Sequence, residues 1–469
     1  MIPLTGWSYC KQKDIPNTYI DADLTDYPYP IFINGDTDIG VHALPTGYDI
    51  RFTASDGTTL LFHERRSFAV VAGAATGRWI VKIPARHAAG GDFIYIHYGK
   101  VGAPDVSSGP DAYDANFKGV WPLDESYGTG ADNYKDRTAN AHHLTLIDAN
   151  ANSGQVDGPI NKAVDLNGDA DYLKSAIHSD FDPGGAMTIE GWHYPDSLNF
   201  VTADLAQTRP GYTVWRLRIQ MNANDFRFGA YTPPADPIAT STTHPTTGTL
   251  YYLVGTYDRT LSSNRIKIFM QGALEGQADG IDADIQPAGS CIWIGTDNIS
   301  SFLDGPMAEV RYSNIARSSA WIKATLHDIV DGYQAGEWGA EVVAPITYTL
   351  AGSIDGVSSL TGNAKMTAKL AGSIQAASTF TGETKTTMRL AGAVAEASYL
   401  GGGMKIIMRL AGTMAGISAM TGNLLEIFSR LKAIIFTVTP RERIVKVPDR
   451  KRIRVVPDRG RIVTVDKRS

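Results

Sequence analysis

Between Trp121 and Arg317 apolar residues come in short runs that alternate with polar ones, and clusters of Gly, Asp, Asn and Pro separate the runs. The runs read VWPLDESYG, KAVDLNGDADYLKS, MTIEGWHYP, LYYLVGTYD, RIKIFMQG, IWIGT and FLDGPMAEVRYSNIARS. A period of two is that of a half-buried strand, and many short strands at this spacing predict an antiparallel β-sandwich.

The order of these segments resembles the concanavalin-like, laminin-G-like jelly roll. In that family a WPLDE-type opening precedes a DxNGxxDYL hairpin, a TIEGW strand, a VGTYD strand, an MQG-type turn and a closing GxMAEVRYSN strand. The resemblance implies a fold and no single activity, because this sandwich hosts lectins, adhesion modules and glycosidases alike.

Residues 1–118 read as a first β-rich domain, a sandwich whose strand candidates are TDYPYPIFI, YDIRFTASDGTTLLFHE, RWIVKIP and DFIYIHYG, with ASDGTT as a hairpin turn. This line resembles a domain of uncharacterised function that recurs in bacterial surface proteins and phage tail proteins, directly ahead of a concanavalin-like module. The jelly roll is then assigned to 119–317. In 318–345 an amphipathic helix, with Ser318 as N-cap and Trp321, Ile322, Leu326, Ile329, Val330 and Tyr333 on one face, precedes a linker.

From Leu350 the chain repeats every 20 residues. Leu350, Leu370, Leu390 and Leu410 align, as do Gly352, Gly372, Gly392 and Gly412. Twenty is even, so side-chain parity survives from unit to unit and gives one dry and one wet strand face. The dry face is rich in Gly and Ala, so its burial requires stacking, between repeats or between chains. Residues 346–429 are expected to form a β-stalk, assembled as a homotrimer, with a flexible linker as the alternative. Leu424–Val438 fits a helical stripe and a strand equally.

Residues 430–469 form a tail in which Pro440, Pro448 and Pro457 each open a unit rich in Arg, Ile and Val. Residues 440–469 carry eleven Lys/Arg against four Asp/Glu, whereas residues 1–345 carry about −17 within a net charge of −6. Nucleic-acid contact is one reading of such a tail. The interleaved Val/Ile and the acid in each unit favour β-addition to an acidic protein partner, with Arg441, Arg443, Arg450, Arg452, Arg454, Arg459 and Arg461 as docking residues. The tail also resembles the Pro-acid-x-x-Arg strings at the ends of tailed-phage structural proteins.

No run approaches the ~18 apolar residues of a membrane span. Cys10 and Cys291 are too few for a disulfide framework or a zinc cluster. The start, MIPLTGWSYCKQKD, carries no basic-then-apolar leader, which fits a protein made in a host cytoplasm and released with a particle by lysis.

Asp165, Asn167, Asp169 and Asp171 place an oxygen at every second residue, as a calcium loop would. A β-hairpin turn is the preferred reading, calcium near Asp169 or Asp171 the alternative, and no other cofactor is expected. On the TIEGWHYP strand, Glu190, Trp192 and Tyr194 share one face. If that face is outward and near Trp215, Arg216 and Arg218, it suits a sugar, with aromatics on the ring and charges on the hydroxyls. The alternative is ordinary packing. His142-His143 and His63-Glu64 read as isolated loop or surface residues. The ExDxE strand typical of hydrolases on this sandwich is absent, and no HExxH, P-loop, GxSxG or CxxC occurs, so an enzyme is not expected. The layout predicts a virion structural protein of a tailed phage that presents a lectin-like domain to host-surface glycan. A capsid decoration protein and a bacterial surface adhesin are the alternatives, and a polysaccharide depolymerase is disfavoured.

Overall fold

The computed structural model describes residues 3–126, 128–147, 154–182, 184–198, 203–210, 216–221, 225–231, 237–279, 290–296, 301–330 and 338–344, together with strand segments between 347 and 466. Contacts divide the chain into two compact units, Cys10–Glu341 and a second made of Met1–Tyr9 with Val342–Ser469. The protein is mainly β.

The N-terminal strands are β1 (Tyr9–Asp14), β2 (Leu24–Asp36), β3 (Arg51–Thr53), β4 (Leu60–Leu61), β5 (His63–Val71), β6 (Ala74–Arg86) and β7 (Phe93–Tyr98). They form two sheets, β1-β7-β3-β4 and β2-β6-β5. The expected turn at ASDGTT is present: Gly57 takes φ +72°, and the Asp56 carboxylate accepts the Thr58 and Thr59 N–H groups at 2.8 Å.

The sandwich follows. Its strands are β8 (Phe117–Trp121), β9 (Leu144–Ile147), β10 (Gly154–Asp157), β11 (Lys162–Asn167), β12 (Tyr172–Ser175), β13 (Ala186–His193), β14 (Ala203–Pro210) and β15 (Arg216–Met221). They continue with β16 (Phe226–Tyr231), β17 (Ile238–Thr240), β18 (Tyr251–Asp258), β19 (Ile266–Met270), β20 (Ala273–Ala278), β21 (Ser290–Ile294) and β22 (Asp304–Ser313). The first sheet runs β10-β11-β22-β13-β18-β19-β20, with β8 also paired to β22, and the second runs β17-β16-β15-β14-β21-β12-β9. Alternation along each strand supplies the core between them: Leu166, Met187, Ile189, Leu253, Ile268 and Val310 from the first sheet meet Leu146, Leu173, Phe228, Ile292 and Ile294 from the second. Gly255 leaves room for the Phe228 ring of the facing sheet, since a Cβ there would stand 2.1 Å from it.

The segment Asn167–Asp171 is not the expected hairpin. β11 pairs with β10 and β22, whereas β12 pairs with β9 and β21, so the chain here arches from one sheet to the other. Leu166 and Leu173 thereby enter one core from opposite sides, a path that uses Gly168 at φ +72° and Ala170 at φ +94°.

The expected helix spans Ser319–Val330, and the Ser318 Oγ accepts the Trp321 N–H at 3.2 Å. Trp321, Ile322, Leu326 and Ile329 are buried and Val330 is exposed, while Tyr333 lies outside the described residues. The sequence pattern did not anticipate Asp328, a buried carboxylate on this helix. It accepts from the Tyr27 hydroxyl at 2.7 Å and pairs with Arg86, whose Nη2 is 2.9 Å from Oδ1.

In the second unit the 20-residue period becomes a parallel ladder of strands Thr347–Ala351, Thr367–Ala371, Thr387–Ala391, Ile406–Leu410 and Leu424–Ser429. Leu350 pairs with Leu370, Leu370 with Leu390 and Leu390 with Leu410. Leu360–Thr361, Phe380–Thr381 and Leu400–Gly401 form a second parallel ladder. The repeats therefore stack on one another within one chain. In Leu424–Val438 the ambiguity resolves to strands, Leu424–Ser429 and Ala433–Phe436. Arg441, Arg443, Arg450, Arg452, Arg454, Arg459 and Arg461, expected to dock, lie outside the described residues.

Candidate functional site

The proposed sugar face on β13 is closed. Glu190 is 2% and Trp192 1% exposed, and only Tyr194, just past the strand end, reaches 36%. Alternation turns Glu190 and Trp192 away from the inter-sheet core, but their face of the first sheet is covered. Trp192 stacks on Tyr252 at 4.8 Å, and the Tyr252 hydroxyl donates to Glu190 Oε2 at 2.5 Å. Glu190 Oε1 lies 3.5 Å from Arg311 Nη1, and Arg311 Nη2 is 3.0 Å from Glu309. Arg66 on β5 closes the cover, with Nε 2.9 Å from Glu64 and its terminal nitrogens 3.4 Å from Asp124 and 3.5 Å from Glu309. A sugar ring has no access to Trp192. Alternation reports which side a residue takes and not what lies over that side.

The cover is built from buried charge. Burial opposes ionisation of Arg66 and Arg311, yet the surrounding carboxylates hold both guanidinium groups above their ordinary range. Burial raises the Glu64 carboxyl, with Arg66 and Arg137 offsetting only part, whereas at Asp124 the same two arginines outweigh burial and lower it. His63 and Glu64, read as surface residues, are 5% and 3% exposed on β5. This network fixes the N-terminal sheet onto the sandwich.

Trp215 lies outside the described residues, and Arg216 and Arg218 are on β15, in the sheet opposite Glu190 and Trp192. The expected six-residue group is therefore not brought together. The second sheet instead presents an aromatic surface that the sequence reading missed. Tyr172 and Trp293 stack at 5.0 Å with 22° between planes, Phe302 is 6.4 Å from Tyr172, and all three are half-buried. Both stacked residues occupy the parity opposite the core residues Leu173, Ile292 and Ile294, which places them on the outer face.

From this pair a row runs across the sheet in backbone register. Lys174 is opposite Trp293, Trp293 opposite Gln207, Gln207 opposite Arg218, and Arg218 opposite Gly229. Arg218 thus shares a cross-strand row with Trp293 rather than with Trp192. The detectable sequence cue was the alternation in DYLKS and SCIWIG, which puts Tyr172 and Lys174, and Cys291 and Trp293, on common faces. What the strings lacked was the pairing of β12 with β21.

The carboxylates of the arch do not converge as a calcium loop would. Asp171 is fully buried, Asp169 donates its N–H to Asn167 Oδ1 at 3.0 Å, and Asp165 has Asp196 and Asp304 for neighbours. Burial and those two charges raise the Asp165 carboxyl. His142, read as isolated, is instead brought beside His178 and Asp180. No helix among the described residues is long and apolar enough to cross a membrane.

Residues 167–323 match the family model of the concanavalin A-like lectin/glucanases superfamily. Among solved structures, domain 4 of AbnA, a GH43 extracellular arabinanase from Geobacillus stearothermophilus, in complex with arabinotriose, is 14% identical. That similarity covers 44% of this chain and 97% of that one, with TM-score 0.36. The binding domain of botulinum neurotoxin DC in complex with SialylT is 9% identical over 46% of this chain and 52% of its own, with TM-score 0.36. A Trypanosoma rangeli sialidase is 15% identical over 46% of this chain and 33% of that one, with TM-score 0.34. No curated protein matches the chain.

Proposed function

We propose that this chain is an attachment protein whose concanavalin-like sandwich binds carbohydrate on the outer face of its second sheet, and that it serves as a structural component of a tailed-phage virion. The observation that carries the binding site is the half-buried Tyr172–Trp293 stack, flanked by Lys174. Aromatic faces accept the C–H face of a sugar ring, and a cationic side chain suits its hydroxyls. The sandwich family match supports the same reading. The parallel ladder of 20-residue repeats suits a stalk, which is further proposed to assemble as a homotrimer. The tail containing Arg441 to Arg461 is proposed to dock on other virion proteins.

Binding of the full chain to immobilised host polysaccharide tests the site. Trp293→Ala is expected to weaken binding about tenfold, the equivalent of a ~1.4 kcal/mol stacking contribution, with the melting profile retained. Wild-type affinity in this variant sinks the assignment of the face. Release of reducing ends during the incubation turns the reading from binding to hydrolysis. Immunogold labelling of lysate particles with antibody to residues 120–330 tests the virion role, and its absence from particles removes that part of the proposal.

A further inference from the structure

We infer that His142, His178 and Asp180 form a binding site for a divalent transition-metal ion of the Zn2+ class. One ligand atom from each residue lies within 4.8 Å of the other two. His142 Nε2 is 2.8 Å from Asp180 Oδ2, and His178 Nδ1 is 3.4 Å from the same oxygen. Ligands held tetrahedrally at ~2.0–2.1 Å from zinc are about 3.4 Å apart. The second separation already has that value, and the first is a hydrogen bond; for His142 to ligate as a neutral imidazole its ring proton passes through solvent from Nε2 to Nδ1, leaving the Nε2 lone pair for the ion.

The backbone holds these side chains in place before any ion arrives. The His142 carbonyl accepts from Trp121 Nε1 at 2.7 Å, and its N–H donates to Asp136 Oδ2 at 2.9 Å. Its ring meets Phe181 edge-on at 4.8 Å. On the other side, the His178 N–H donates to the Ser290 carbonyl at 2.8 Å, and Asp182 accepts the Ser290 N–H at 3.0 Å. Phe181, fully buried between these residues, fixes the turn that carries Asp180. The Asp180 N–H donates to His178 Nδ1 at 3.1 Å, so that nitrogen presents a lone pair and the ring proton sits on Nε2. Ligation at Nδ1 exchanges this hydrogen bond for the bond to the cation.

Two imidazole nitrogens and one carboxylate select a borderline cation rather than calcium, which takes six to eight oxygens. The side chains are 12%, 48% and 30% exposed, so one side of the cluster is open and water completes the coordination. The ion ties the loop before β9 to the turn after β12, and binding to the folded state alone raises its stability.

Zn2+ added to the full chain tests this, read by calorimetric titration and by Tm, with Co2+ absorption reporting the geometry. One equivalent should bind, raise Tm and give the intense visible bands of tetrahedral Co2+. His178→Ala, at an exposed position, and Asp180→Asn should each weaken Zn2+ by more than the roughly 10–100-fold that follows loss of an outer-shell partner, with unchanged far-ultraviolet dichroism. Excess Ca2+ should not displace the ion. Wild-type protein that fails to saturate at millimolar Zn2+, variants that bind as wild type, or displacement by Ca2+ would each overturn the site.

Discussion

Arg66→Met tests whether the buried charge cluster holds the N-terminal sheet on the sandwich. The Arg66 side chain is fully buried, and the carboxylates of Glu64, Asp124 and Glu309 within 3.5 Å of it are 3–4% exposed. Its Nη2 also donates to the Tyr113 hydroxyl at 3.0 Å. Methionine fills much of the volume but leaves those carboxylates with less positive charge around them. Breaking a buried pair from one side costs about 3–5 kcal/mol. At about 2 °C per kcal/mol for a unit of this size, Tm falls by roughly 6–10 °C. Calorimetry at neutral pH measures the fall, and Arg66→Met/Glu64→Gln should recover part of it, because Glu64 is the carboxylate nearest Arg66 and removing its charge removes part of the penalty. The loss should also shrink as pH is lowered, since burial already raises the Glu64 carboxyl and is less opposed without Arg66, so the folded variant takes up a proton there more readily than the unfolded chain. A loss below about 1 kcal/mol, with no recovery in the double variant, would show a solvated cluster. The closed face over Glu190 and Trp192 would then have to be abandoned.

Two further outcomes follow from the core. His63, His97 and His193 are lowered to about 4 chiefly by burial, with Arg51 and Arg65 adding to the effect at His63. Above the unfolded value near 6.5 both states are neutral; below it the unfolded chain gains protons that the folded chain refuses, so stability falls as pH drops from 6.5 towards 4. A Tm–pH series should show that slope and His193→Gln should flatten it, whereas an unchanged slope would remove His193 from the explanation. Gly255→Ala drives a methyl into the Phe228 ring, and an overpacking cost of about 1–3 kcal/mol is expected in denaturant unfolding. A neutral result would mean the two sheets separate freely at that point.

Much of the local structure was legible in the sequence. Ser318 marked the helix start, Asp56-Gly57 the turn, and an even repeat length the ladder in which Leu350, Leu370, Leu390 and Leu410 align. Each depends on backbone geometry within a few residues or on an exact translation along the chain. The site was legible only in pieces. Trp192 and Trp293 sit on similar alternating strands, and nothing local separates the one buried and stacked on Tyr252 from the one left half-buried on an outer face. Asp165–Asp171 reads as a hairpin because its turn residues are those of a hairpin, yet the chain changes sheets there.

The sequence by itself determined that the chain is a series of short strands with two-sided parity, and that the repeats recur in steps of twenty that preserve that parity. Those are consequences of alternation, a property of neighbouring residues. Only the tertiary structure decided which sheet β12 joins, which face the N-terminal sheet covers, and that His142 meets His178 and Asp180 across a turn. Such contacts join residues far apart in the chain, and their free energy comes from packing and desolvation that no local period encodes.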